Sequence, residues 1–368
     1  MNSKKFVIYI LFAALAVSLI GLGIFWYVNK EQEMRAAERM KEYNKADELH
    51  HEGKFDESIL AFSNLLNEPT TISLETKTKF KLAFDLFSRN QGDDRQKAAT
   101  ILKEIIKNEE VSRFQRAWAI NDFLDWYQGT QNKTIARELI FDGEPLEKFY
   151  VESSGDIELS LRKTYEFSVS LFPTPLATFR VARWYGNKLT EEGGTLSKEI
   201  RDEYINQLKT WSGRGGMTVQ QMGIYQYENN KIGYIYQMKA MTDADVARFS
   251  SGDYSAAEES FKMGLAALSP EDDLHSYGLG LFLRFHYASV LARVYGKERI
   301  GDINEILQTI VNRPAQFSKS YFFFDDFLKN ELGSEHDEHG HKKDMVLLAK
   351  LVPKFNSFLL SKGINLND

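Results

Sequence analysis

An all-α fold, with one apolar N-terminal helix followed by an α-α superhelical stack of helical hairpins, is predicted by three observations. The composition favours helices, the first thirty residues hold a long uncharged run, and a short phrase recurs along the chain. The 368 residues are 43% hydrophobic and 13% aromatic, enough apolar material for a core without the charge excess of a disordered chain. Seven prolines in that length, abundant Ala, Leu, Ile, Glu and Lys, and few Val-Thr-rich runs favour helix over strand.

The N-terminal element comes first. Lys4 and Lys5 end a tail of residues 1–5, and residues 6–28, Phe6 to Val28, carry no charge. At helical rise such a run spans about 34 Å, more than the roughly 30 Å of a bilayer core. A cleaved signal peptide is the competing reading, with Ala14-Leu15-Ala16 as a small-x-small cleavage site. The run continues well past Ala16 and ends in Trp26-Tyr27, which suits a membrane interface, so an uncleaved anchor is the expectation. The basic residues Lys30, Arg35, Arg39, Lys41 and Lys45 beyond it alternate with glutamates. The expected topology is a single-pass protein with a cytoplasmic N-terminus and the helical stack on the extracytoplasmic side. Ala14 and Ser18 form a small-xxx-small pair, so self-association is one expected partnership.

The recurring phrase is Gly, a polar residue, an aromatic, then a small residue and Phe. Gly53-Lys54-Phe55 with Ser58 and Phe62 is one copy, and Gly252-Asp253-Tyr254 with Ala257 and Phe261 is the other. Glycine tolerates the positive φ that lets a helix stop and reverse, and a small buried side chain lets two helix axes approach. Worn copies follow: Leu82, Ala83 and Leu86 before Gly92-Asp93, then Ala98, Leu102 and Ile105; Arg116 to Tyr127 before Ile135, Ala136 and Ile140; and Leu283 to Tyr295 before Gly296, Ile303 to Val311 and Pro314.

These phrases resemble the second half of the tetratricopeptide repeat, in which Gly closes one helix and an aromatic opens the next. Ala46 and Leu49 stand where that family places its first-helix apolar residues, and Pro69 and Pro270 fall near its terminal proline. The spacing of the phrases along the chain allows about six to eight hairpins, and the resemblance implies a solenoid whose first helices line a groove for a partner's peptide or helix. Asn121, Asp125, Arg284 and Tyr287, on the expected first helices, are the candidate groove residues.

Between Asp156 and Trp211 the apolar spacing stays helical, but Pro173, Pro175 and Glu191-Glu192-Gly193-Gly194 interrupt it. Ser212-Gly213-Arg214-Gly215-Gly216 reads as the strongest flexible break, an inter-helix loop capped by Thr218. It divides the soluble part into two helical lobes, 29–211 and 217–368. Its glycines also suggest an anion cradle at a helix start, although the GxxxxGK[ST] spacing fails.

Charge and composition exclude several functions. A net charge of -6 repels nucleic acid phosphates, and the absence of cysteine excludes disulfides and thiol chemistry. No Gly-x-Ser-x-Gly, no HExxH and no cofactor fingerprint occurs, so neither an enzyme nor a cofactor is expected. The one concentration of metal ligands is Glu335 to His341, where His336, His339 and His341 are candidate ligands on a solvated loop. The His50-His51 pair reads as a surface feature of a hairpin turn. The expected function is a scaffold that binds proteins or peptides at a membrane; the alternatives are a metal or ligand sensor using the His336 to His341 loop, and a structural oligomer.

Overall fold

The computed structural model describes residues 26–27, 30–31, 33–67, 71–128, 133–222, 229–268, 274–333 and 340–366. Every regular element among them is helical, as the composition predicts. No helix among the described residues is long and apolar enough to cross a membrane. The apolar run of residues 6–28 lies outside them except for Trp26 and Tyr27.

The chain forms two compact units, Met1–Gly155 and Asp156–Asp368. In the first unit, α1 (residues 33–51) is followed by α2 (Phe55–Leu66), α3 (Ile72–Arg89), α4 (Asp94–Lys107), α5 (Arg113–Gln128), α6 (Lys133–Phe141) and α7 (Glu147–Glu152). The phrase at Gly53 does what its residues suggest. Gly53 adopts φ +72°, α1 ends before it and α2 starts just after it, while Ser58 and Phe62 are fully buried. Tyr43 of α1 packs its ring 5.7 Å from that of Phe62. The next reversal uses Asn90 (φ 51°) and Gly92 (φ 56°), and it brings α4 back along α3. Thr71 caps α3 by accepting from the Leu74 amide at 3.3 Å.

The second unit runs α8 (Ile157–Leu171), α9 (Pro175–Glu192), α10 (Lys198–Met222), α11 (Asn229–Val246), α12 (Ser255–Ala267), α13 (Leu274–Tyr295), α14 (Ile300–Val311), α15 (Ser318–Gly333), α16 (His341–Leu351) and α17 (Pro353–Ser361). The prolines fall where expected. Phe172 and Thr174, each before a proline, are extended, and Pro175 opens α9 behind the Thr174 cap. The second phrase repeats the first: Gly252 takes φ +72°, and Ala257 and Phe261 are fully buried. Here the preceding helix ends in a π turn, Ala247–Ser251.

One expectation is overturned. Residues 212–216 are no break; they lie in the middle of α10, and the division between units falls at Gly155. The cause is packing. A Cβ on Gly215 would stand under 3.0 Å from three ring atoms of Phe179, so this glycine lets α9 and α10 approach where any side chain would hold them apart. Thr218 caps nothing, since its hydroxyl donates to the Arg214 carbonyl within the helix at 2.8 Å. An anion cradle at a helix start is therefore excluded at this position.

The second unit centres on α13. Its sequence is apolar on all sides, and Leu281, Phe285, Ala288, Leu291 and their neighbours are buried among α11, α12, α14, α15 and α16. The hairpin expected at Gly296 is present, with Ile303, Leu307 and Ile310 forming the buried face of α14.

Candidate functional site

A concavity of the first unit lies across α2, α3 and α4, with a volume of about 580 Å³. Ile59 of α2, Leu82 and Leu86 of α3 and Ile101 of α4 make an apolar floor, and Arg89, Asp93 and Lys97 stand at its edge. The tight reversal at Asn90–Gly92 places these charges. It sets Asp94 beside Arg89, whose guanidinium donates twice to the Asp94 carboxylate and once to Asp56, all at 2.8 Å. The hydrogen bonds to Asp94 and then Asp56 raise the Arg89 pKa, and Arg89 in turn holds the Asp94 carboxyl below its usual range. The result is a rim guanidinium fixed in direction, and an exposed Lys97–Asp93 pair at 2.8 Å lines the same concavity. Such a groove suits a segment with an apolar stripe and charged flanks.

Behind the groove, Asp85 joins three helices. This fully buried carboxylate of α3 accepts from the Ser58 hydroxyl of α2 at 2.5 Å and pairs with Nδ1 of His50 on α1 at 2.5 Å. Serine, aspartate and histidine together invite comparison with a nucleophilic triad, but the order is wrong. In a triad the imidazole receives the serine proton, whereas here the carboxylate lies between the two and Ser58 is sealed from substrate. The arrangement clamps helices.

The candidate groove residues do not line an open surface as a set. Asn121 on α5 is fully buried beside Asp122, while Asp125, one turn on, is partly exposed. On α13, Arg284 is partly exposed, but Tyr287 is buried. Its ring stacks on Phe261 at 5.1 Å, and its hydroxyl donates to Glu258 at 3.3 Å. Burial, reinforced by the Glu258 charge, pushes the Tyr287 pKa up to about 12. Glu258 also accepts from Tyr295 at 3.2 Å and from Arg299 at 2.8 Å. Tyr287 and Asn121 therefore belong to the core, because helices cover the faces that a groove would have left open.

Of the three candidate metal ligands, His336 and His339 lie outside the described residues. His341 opens α16 partly buried, its ring 5.2 Å from those of His286 and Phe327.

Asp85 and Glu258 are the residues that sequence reasoning missed. The signal was an acid placed on an apolar face, since Asp85 follows Thr78 and Leu82 at helical spacing and Glu258 precedes Phe261 by three. Comparison of the chain with family models, curated proteins and solved structures finds no match.

Proposed function

We propose that the protein is a non-enzymatic, membrane-anchored scaffold of tetratricopeptide-like helical hairpins that holds an amphipathic segment of a partner protein. The observation that carries this reading is the groove over α2, α3 and α4, with its apolar floor of Ile59, Leu82, Leu86 and Ile101 and its fixed charged rim. Burial of an apolar stripe supplies affinity, and the Arg89 and Lys97 cations with the Asp93 carboxylate select the flanking charges. The uncharged run of residues 6–28 is the proposed anchor, with the helical units on the extracytoplasmic side. Anchoring restricts encounters to the membrane surface and so raises the effective concentration of partner.

Site-specific photo-cross-linking in intact cells tests the groove. A cross-linker at Thr100, exposed on its edge, is expected to capture a defined protein that a cross-linker at the exposed Leu60 does not. Ile59→Glu and Ile101→Glu are expected to abolish that product. Equal capture from both positions, or capture insensitive to both substitutions, would overturn the groove. Alkaline extraction of membranes tests the anchor, and protease accessibility of the C-terminus in intact cells tests the topology.

A further inference from the structure

We propose that Asp47, His50 and His51 form a binding site for a divalent transition metal of the zinc class at the C-terminal end of α1. The three occupy positions i, i+3 and i+4 of the last turns of the helix, which places them on one side of it. One potential ligand atom from each lies within 4.8 Å of those of the other two. Ligands bound tetrahedrally at about 2.0–2.2 Å stand roughly 3.3–3.6 Å apart. Closing that gap requires the side chains to rotate. His51, with its side chain 66% exposed, has room to turn.

The hydrogen bonds around the two rings carry the argument further. The His51 Nδ1 lies 2.7 Å from the Asp47 carbonyl oxygen, which can only accept, so the proton is on Nδ1 and the lone pair on Nε2. The His50 Nδ1 lies 2.5 Å from Asp85, whose other carboxylate oxygen already accepts the Ser58 proton. His50 Nδ1 is thus also a donor, and its Nε2 carries the lone pair. A histidine whose outer nitrogen donates to a buried carboxylate is the usual support of a metal-ligating imidazole, since that bond fixes the tautomer and strengthens the ligand. Asp85 does this for His50, and its full burial keeps it in place. The edge-to-face packing of His50 on Phe84, centroids 5.1 Å apart, holds the ring from its other side.

Charge supports a cation here. The Asp47 carboxylate and the negative end of the α1 dipole both attract one. Lys81 of α3 already stands 2.9 Å from Asp47 Oδ1, which leaves Oδ2 for the metal; Oδ2 lies 3.7 Å from the protonated His51 Nδ1, so His51 has to turn to bring Nε2 beside it. The neighbouring ammonium weakens the site electrostatically. Two imidazoles and one carboxylate suit Zn²⁺ and its neighbours Ni²⁺ and Cu²⁺, and they leave a fourth position for water or for a side chain of another protein.

The test uses the full-length chain in detergent, stripped with a chelator, carrying His336→Ala and His339→Ala to remove the other histidine-rich segment. Equilibrium dialysis against Zn²⁺, with bound metal counted by atomic emission, is expected to show one saturable equivalent. His51→Ala is expected to weaken that binding at least tenfold without changing the helical circular dichroism, because the side chain is largely exposed. Asp85→Asn keeps the shape and removes the carboxylate supporting His50, and a loss of about 10–100-fold is expected. Substituted Co²⁺ should give the visible absorption of a tetrahedral nitrogen-oxygen site, and His51→Ala should abolish it. No saturable uptake, or uptake unchanged by His51→Ala, would overturn the proposal.

Discussion

The two units use the same material differently. In the first, α2 packs on α3, α3 on α4, α4 on α5, α5 on α6 and α6 on α7, so contact follows chain order apart from the next-but-one pairs α4 with α6 and α1 with α3. In the second, α13 touches α11, α12, α14, α15 and α16, and residues on every side of it are buried. Packing along the chain makes stability a sum of neighbour terms, whereas a central helix ties many elements to one another. The difference has a local chemical counterpart. The first unit binds three helices through one buried carboxylate, Asp85; the second has its own buried carboxylate, Glu258, between α12 and α13, but gathers its helices mainly by aromatic and aliphatic bulk around Phe285.

The largest expected effect comes from removing that bulk. Phe285→Ala should cost about 3–5 kcal/mol, and hydrogen exchange should accelerate together in α11 to α16. Leu102→Ala, equally buried in α4, should cost about 2–5 kcal/mol but accelerate exchange chiefly in α3 to α5. If both substitutions loosen their units uniformly, the contrast between chain-order packing and a central helix fails.

Next in size is the clamp. Asp85→Ala leaves the His50 ring without its buried acceptor and the Ser58 hydroxyl with only the Phe55 carbonyl at 3.2 Å, and a loss of about 2–3 kcal/mol in urea unfolding is expected. A loss below about 0.5 kcal/mol would mean that apolar contacts alone hold the first unit.

Two glycines of α10 give a smaller and opposed pair. Gly215→Ala drives a methyl into Phe179 and should cost about 1–3 kcal/mol. Gly216, one residue on, has nothing within 4 Å of a Cβ position, so Gly216→Ala should stabilise the helix by up to about 1 kcal/mol. Thermal unfolding of the two variants separates them, and destabilisation by both would indicate that the segment is not the helix described.

The smallest effect is on pH dependence. Tyr287 has its pKa raised to about 12, so its contribution is complete below the unperturbed value of about 10 and is lost as pH rises towards 12. Urea midpoints of the second unit should fall over that range, and Tyr287→Phe should make the fall shallower. An identical slope in the variant would remove Tyr287 from the account.

Local features were the most legible. The two Gly-aromatic phrases, 199 residues apart by their numbering, both produce φ +72° at glycine and bury the same small and Phe positions. Pro175, Gly92 and Gly296 likewise mark the helix ends or reversals they suggest. Gly213 to Gly216 misled because helix propensity is a weak preference, about 1 kcal/mol per glycine, which close packing of α9 on α10 outweighs. The Asp85 network was hidden for another reason. Its partners lie 27 and 35 residues away, and no spacing rule connects them.

The sequence by itself determined that the described chain is helical, where several helices stop, and which faces are apolar, because backbone hydrogen bonds, caps and positive-φ turns are settled within about one helical turn. Only the tertiary structure decided that Asn121 and Tyr287 are covered, that α10 runs through its glycines, and that His50 meets a buried carboxylate. Those outcomes depend on which distant surface arrives against a residue. Burial, close approach and side-chain pairing are properties of the packed pair, and neither partner's local sequence contains them.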